Sequence, residues 1–483
     1  MAASASSSFD DPAEAETAQL MFEFEDFAHQ PPAEPLSTRR LLLLTCPSLG
    51  LQVCWFLLQT SGTPCLRSLG ITPSWISLIW ALGPIFGAFV QPVIGQLSDE
   101  LHHPLGRRKP VMLAGAGAVI SSVLAMACAL ALAPPGAQAW WPRAVAVGCL
   151  VVLLFAINAY SVGVRAIVVD VCPPAQQPAA AAWAMRWNVL GSAALSALGV
   201  VSTLQGRRDA DPVAVFLKLA LVAAVLSAVT VGLVCVLVSD TAPPRPKVQE
   251  GGGGGVGRVL AMCRLGEIYR RWGRLPPVTG QVCGVQLFAW LGWFPVLYYM
   301  STYAYETALY QASHLTDPEA YAEPYPLYAS LSFALGTLLS TLILTLLTAT
   351  RLLAPAHLPR LWLCSQLLAA VSLLLTMALR TTAAALVLLA LVGATWAVTM
   401  WVPFALINTE LAELGSTGVA GAQGLHNMAV SLPQVASALL CACVLAGLDM
   451  LGMAHGAVWL LRLAAVPVGW STWLIWRLDG GGA

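Results

Sequence analysis

The chain has 483 residues, 58% of them hydrophobic and only 10% charged. Its mean hydropathy is +0.74. Soluble domains carry about 25% charged residues, so a water-soluble enzyme, a nucleic-acid-binding protein and a disordered scaffold are all excluded. The net charge of zero hides an uneven distribution: Met1–Thr38 holds eight acids and no Lys or Arg, which leaves 16 acids against all 24 basic residues in the rest.

That first segment, 1–38, is read as an acidic cytoplasmic tail. It lacks the basic-then-apolar order of a signal peptide. After it, apolar runs long enough to cross a bilayer, which takes about 20 residues, recur to the end. They fall at 41–62, 75–97, 111–133, 143–171, 178–204, 213–238, 278–302, 325–348, 358–380, 382–408, 418–446 and 453–476, about twelve in all. The expected fold is an all-α membrane protein. Loop charges set its orientation. Numbering the loops from a cytoplasmic amino terminus, fifteen basic residues fall on that side against five on the other, which places both termini in the cytoplasm. The stretch 239–277 contains TAPPRPK, five consecutive glycines and a basic segment. Pro and poly-Gly make it a flexible linker. It separates six-helix halves at 39–238 and 278–477, before a short tail at 478–483. Such a 6 + 6 layout suits a transporter built from two related halves. The twelve cysteines show no metal-ligand spacing and read as small packing residues.

Between the second and third runs the chain reads GPIFGAFVQPVIGQLSDELHHPLGRRKP. Gly95 permits close packing of a helix end, Asp99 falls where that helix leaves the membrane, and Gly106 allows a tight turn. Arg107, Arg108 and Lys109 anchor the loop. A basic loop obeying the positive-inside rule would account for the RRK alone, but not for the Gly and Asp spacing. The whole resembles the loop signature of the major facilitator superfamily, in a form with six residues between Asp and Gly. In that form it is similar to the sucrose and α-glucoside transporters. GLQVCWFLLQTSGTPCLRSLGI, QLFAWLGWFPVLYY, WAVTMWVPFALINTE and GLHNMAVSLPQ also look like segments of that family, the last two most like its fungal branch. The resemblance implies the major facilitator fold, with twelve helices in two halves. It also implies alternating-access transport of a sucrose-like or α-glucoside sugar, with no enzymatic activity and no cofactor beyond a proton as co-substrate. The expected partners are the sugar and the lipid bilayer, with no nucleic acid. The expected state is a monomer in the plasma or vacuolar membrane.

Charged residues inside a membrane helix cost about 2.5–3.5 kcal/mol on insertion scales and point to function. Asn158 and Arg165 share a face of the fourth helix. The resemblance places a required Arg at Arg165, where it would hydrogen-bond sugar hydroxyls; snorkelling to a helix end is the alternative. Asp170, rotated away from that face, suits a gate or charge network with Arg107, Arg108 or Arg186. Arg186, matched in the fungal branch, serves equally as gate partner or structural residue. Gln286, Trp290 and Trp293 suit a sugar's polar edge and apolar face, or ordinary packing. Gln423, His426, Asn427 and Gln434 form a polar stripe, which lines a cavity or bonds helices together. Glu410 and Glu413 read as gate or capping residues.

Coupled relatives carry an Asp eleven residues before the Arg, where this chain has Leu154. Many carry a Glu in the first helix, aligned here with Leu58. Neither leucine can titrate. Coupling then rests with Asp170, Glu306 (where the family also has an acid) or His426, or the carrier is an uncoupled facilitator, or it is a sugar receptor without flux.

Overall fold

A computed structural model describes residues 34–58, 62, 65–66, 69–71, 73–132, 140–205, 212–240, 265–350, 352–415, 418–453 and 456–478. Most of the acidic tail, the centre of the 239–277 linker and the last five residues lie outside that set. Eleven spans among the described residues are long and apolar enough to cross a membrane. The helix Gln177–Gln205, 29 residues long and more polar, stands between two of them in chain order.

The first half contains α1 (Thr38–Thr45), α2 (Pro47–Leu57), α3 (Pro73–Glu100), α4 (Lys109–Ala131), α5 (Trp140–Val171), α6 (Gln177–Gln205) and α7 (Pro212–Leu237). The run expected at 41–62 is interrupted at Cys46, because Pro47 has no N–H to continue the ladder. A two-turn helix, α8 (Leu265–Trp272), follows. Its Ile268 and Trp272 pack against Leu275 and the buried Ala88, Leu425 and Met428, so part of the basic segment docks on the bundle. The second half contains α9 (Pro277–Gln311), the short α10 (Pro318–Ala322), α11 (Tyr325–Ala349), α12 (Leu358–Leu375), α13 (Thr382–Thr399), α14 (Val402–Glu413), α15 (Val419–Met450) and α16 (Gly456–Leu478). Here too one expected run is two helices. The tenth span breaks at Met400 and Trp401, just before Pro403.

Each half has its own apolar core. The first gathers Val53, Leu57, Leu58, Leu153, Leu154 and Ile157; the second gathers Trp293, Tyr303, Leu389 and Leu461. A third cluster is shared. Val162, Ala166 and Val169 of α5 and Ala181 and Ala182 of α6 meet Trp401, Val402, Leu411, Val419 and Ala420 of the second half. Helix α3 lies along α15, and α6 along α14. α11 is the least buried span, at 11%. Its exposed Leu331, Leu335, Leu338, Leu339, Leu342 and Leu346 form a face suited to lipid.

The seam between α3 and α15 is tight where Gly95 meets Ala420. A Cβ on Gly95 would collide with the Ala420 carbonyl oxygen, so the backbones approach as closely as they do because the side chain is a hydrogen.

Candidate functional site

Two polar clusters join the halves. The first is at the end of the bundle that carries residues 99–109, called here the latch end. Gly106 has φ +94°, a left-handed conformation that costs glycine little. That turn sends the chain from α3 back into α4. Arg108 is 0% exposed. Its Nη2 lies 2.7 Å from Asp99 Oδ1 and its Nε 2.6 Å from Asp170 Oδ2. Arg107 Nη2 lies 3.1 Å from the same Asp170 oxygen. Burial would lower the affinity of Arg108 for its proton, but Asp99 and Asp170 more than offset this, and its pKa is raised above the ordinary arginine value.

Asp99 also reaches across the seam. Its carboxylate accepts from the N–H of Ala420 at 3.2 Å and of Gly421 at 2.8 Å, in the first turn of α15. Those N–H groups have no partner within their own helix, and the helix N-terminus favours a negative charge. Asp170 therefore pairs with Arg107 and Arg108, while Arg186 stands apart. Arg186 instead donates from Nε to Thr345 Oγ1 at 2.9 Å and from Nη2 to Thr348 Oγ1 at 3.3 Å.

The same use of carboxylates recurs within each half. Asp240 Oδ2 accepts from the N–H of Arg108 at 2.7 Å and Lys109 at 3.3 Å, closing the start of α4. Glu410 accepts from the N–H of Val278 at 2.8 Å and Thr279 at 2.6 Å, at the start of α9. Glu306 accepts from the N–H of Ala457 and Val458, both at 3.3 Å, at the start of α16. Glu410 and Glu306 thus bind helix ends inside the second half.

The second cluster lies deeper. Arg165 Nη1 donates to Asn427 Oδ1 at 3.3 Å. Asn427 Nδ2 donates to the Gly87 carbonyl at 2.9 Å and Ser431 Oγ at 3.1 Å. One side chain of α15 thereby binds both α3 and α5. The Arg165 guanidinium sits 4.9 Å over the Phe404 ring, and the same ring meets His426 edge-on at 4.9 Å. Gln423 Nε2 donates to Asn408 Oδ1 at 3.1 Å and to the Arg165 carbonyl at 3.5 Å. Gln423 Oε1 and His426 Nε2 are buried with no protein partner among the described residues. Among the described residues no carboxylate forms an ion pair with Arg165.

Asn158 belongs to the same wall. It accepts from Gln91 Nε2 at 2.8 Å and donates to the Leu154 carbonyl at 2.7 Å. The structure does not join Gln286 and Trp290 to Arg165. Gln286 is buried in α9 with Oε1 unpartnered, and Trp290 packs edge-on against Trp396. Gln434 turns back to its own helix, donating to Val430 O at 3.2 Å. The polar stripe is therefore Gln423, His426, Asn427 and Ser431. Sequence reading missed Gln91, Phe404, Asn408, Ser431 and Asp240. Gln91, a buried polar residue in an apolar helix, carries the signal that singled out Asn158; Phe404 carries none, since one aromatic in an apolar run is unremarked. Leu58 and Leu154 are both 0% exposed in the first half's core; neither bears on a proton.

The latch joining Asp99 to α15 and the polar wall between two halves are the parts an alternating carrier needs. The chain is 27% identical to the general alpha-glucoside permease of Schizosaccharomyces pombe, with 87% of this chain and 90% of the relative covered. It is 25% identical to the sucrose transport protein SUT2 of Oryza sativa subsp. japonica, over 82% and 85% of the two chains. In fold it is similar to a bacterial homologue of the iron transporter ferroportin in the outward-facing state, with TM-score 0.64, 13% identity, and 92% and 100% covered. It is likewise similar to the transporter FucP in the outward conformation, with TM-score 0.54, 14% identity, and 91% and 98% covered. The sequence profile of the Major Facilitator Superfamily matches residues 48–438, and with eleven spans long and apolar enough to cross a membrane among the described residues, this chain belongs to that superfamily of membrane transporters and is not an enzyme.

Proposed function

We propose that the chain carries a sucrose-like or α-glucoside sugar across a membrane by rocking its two halves about the site at Arg165. The observation that carries the reading is the set of unused hydrogen-bonding groups there. Arg165 offers guanidinium donors, Gln423 Oε1 and His426 Nε2 are unpartnered, and Phe404 supplies an apolar face. A sugar presents hydroxyls that donate and accept, along with an apolar ring face. The full-length similarity to an alpha-glucoside permease and a sucrose transport protein supports the substrate class. By its loop charge, the latch end faces the cytoplasm. The carrier acts as a monomer in the plasma or vacuolar membrane. Uptake of labelled sucrose and maltose in a transport-deficient yeast tests this. Uptake lost in Arg165→Gln at normal surface expression supports it, while a flat response across a glycoside panel refutes it.

A second reading concerns coupling. Of the three groups that could carry the proton, Asp170 is bound by two arginines and Glu306 by two backbone N–H groups. That leaves His426, which shares the Phe404 ring with a cation. These contacts favour an uncoupled facilitator. Concentrative, protonophore-sensitive uptake would refute it.

A further inference from the structure

Arg186 has a different environment from Arg165. It projects from α6 into the seam between the halves, where α6 faces α11. Its Nε and Nη2 donate to Thr345 and Thr348, and its guanidinium carbon lies 4.4 Å from the Trp183 ring centroid. A guanidinium has five N–H donors and no acceptor. Thr345 and Thr348 engage two of them, and among the described residues no carboxylate pairs with Arg186.

The threonines do not balance its charge. Thr341, Thr345 and Thr348 donate to the carbonyls of Thr337, Thr341 and Leu344 in their own helix. They present lone pairs to the arginine and nothing anionic. Beside them is a cleft lined by Ala182, Arg186, Thr341, Thr345 and Trp401.

The position of the cleft indicates its ligand. Thr348 is the penultimate residue of α11, which ends at Ala349. The guanidinium that reaches Thr345 and Thr348 is therefore about one turn, roughly 5 Å, inside the end of a membrane helix. That is the depth at which acyl chains give way to headgroups, and where long cations reach lipid phosphate. Leu338, Leu339, Leu342 and Leu346 on the same helix are exposed and offer a face for acyl chains.

We propose that the α6–α11 cleft binds the phosphate of an anionic phospholipid, with Arg186 as the ligand of that phosphate and the leucines of α11 against its chains. The charge balance supplies the reason: a half-buried cation without a counter-ion gains a charge-assisted bond, and the cytoplasmic leaflet is the anionic one. Because Arg186 belongs to one half and Thr345 and Thr348 to the other, a lipid there sits on a contact that must change when the halves rock. The site is separate from Arg165 and rests on the proposed reading only in having the chain span a membrane with this end in the cytoplasm.

The test is native mass spectrometry of the full chain in detergent, titrated with phosphatidylserine or phosphatidylcholine. Wild type is expected to retain one phosphatidylserine in preference to phosphatidylcholine. Arg186→Gln should retain it about tenfold more weakly, and Ala182→Leu, which fills the cleft and keeps the arginine, should weaken it too. Arg186→Lys, which keeps the charge, should retain part of it. Arg274→Gln, which removes an exposed cation outside the cleft, should bind as wild type. If Arg186→Gln does not fold, Arg186→Lys and Ala182→Leu decide the matter. Undiminished retention in Ala182→Leu and Arg186→Gln, equal loss in Arg274→Gln, or equal retention of the two lipids would overturn the proposal. Displacement by soluble glycerol phosphate at the same concentration as the diacyl lipid would assign the cleft to free phosphate and overturn the lipid. Sugar uptake is measured separately, so failure here and failure of the carrier reading are distinguishable.

Discussion

Asp99 and Gly421 lie 322 positions apart and are joined by a 2.8 Å hydrogen bond, carboxylate to backbone N–H, across the seam between the two halves. The bond gives the latch a physical meaning. A carboxylate at the end of α3 supplies the acceptor that the first turn of α15 lacks, and Arg108 holds that carboxylate in place.

Asp99→Asn keeps the shape but removes the charge. Its carboxamide presents one oxygen, so one of the two α15 N–H groups loses its partner and Arg108 loses an anion. Sugar uptake should fall at least about tenfold with surface expression unchanged. Val419→Cys, at a position now 2% exposed, should react faster with a maleimide in the Asp99→Asn background. Equal labelling rates would show that Asp99 does not hold this end closed.

Arg108 sets the pH response of the latch. Asp99 and Asp170 raise its folded pKa above the ordinary arginine value, so its stabilising contribution is complete below the unfolded value and lost only as pH rises past the folded one. The cation should therefore persist between about pH 6 and pH 9. Maleimide labelling of Val419→Cys in the wild-type latch, corrected for reagent chemistry with an exposed cysteine, should be flat across that interval.

Gly95→Val places a branched side chain against the Ala420 carbonyl. Overpacking of this kind costs about 1–3 kcal/mol. The α3–α15 seam should open, lowering the thermal midpoint and raising labelling at Val419→Cys. An unchanged midpoint and labelling rate would mean that the seam is looser than the structure shows.

Arg165→Lys keeps a positive charge but loses the planar fork. Binding of the transported sugar, followed by tryptophan fluorescence, should weaken about tenfold or more. Asn427→Ala should weaken it less, because Asn427 orients the arginine and also holds α3 through Gly87. Wild-type affinity in Arg165→Lys would place the sugar elsewhere.

Glu306→Gln separates capping from coupling. A carboxylate that closes the start of α16 contributes about 1 kcal/mol, so the variant should unfold at a slightly lower temperature. The pH profile of uptake should keep its shape. A profile flattened by this substitution would assign Glu306 to the proton path.

The chain's thin supply of charge shows which features are legible in one dimension. Apolar run length is local, because each membrane helix satisfies its own backbone; the spans, the central break near residues 239–277 and the Gly95–Lys109 loop are therefore visible without coordinates. Arg165 is visible for the same reason, being a cation in an apolar run. Tertiary structure decided what those groups meet. Arg165 finds Asn427 across 262 positions, and Asn427 finds Gly87 across 340, pairings that no spacing along the chain encodes. It also sorted the carboxylates. Asp99 closes a helix of the opposite half, while Asp240, Glu306 and Glu410 close helices within their own. Sequence shows an acid near a helix end but not whose N–H groups it will meet, because that depends on which helices the apolar faces bring together.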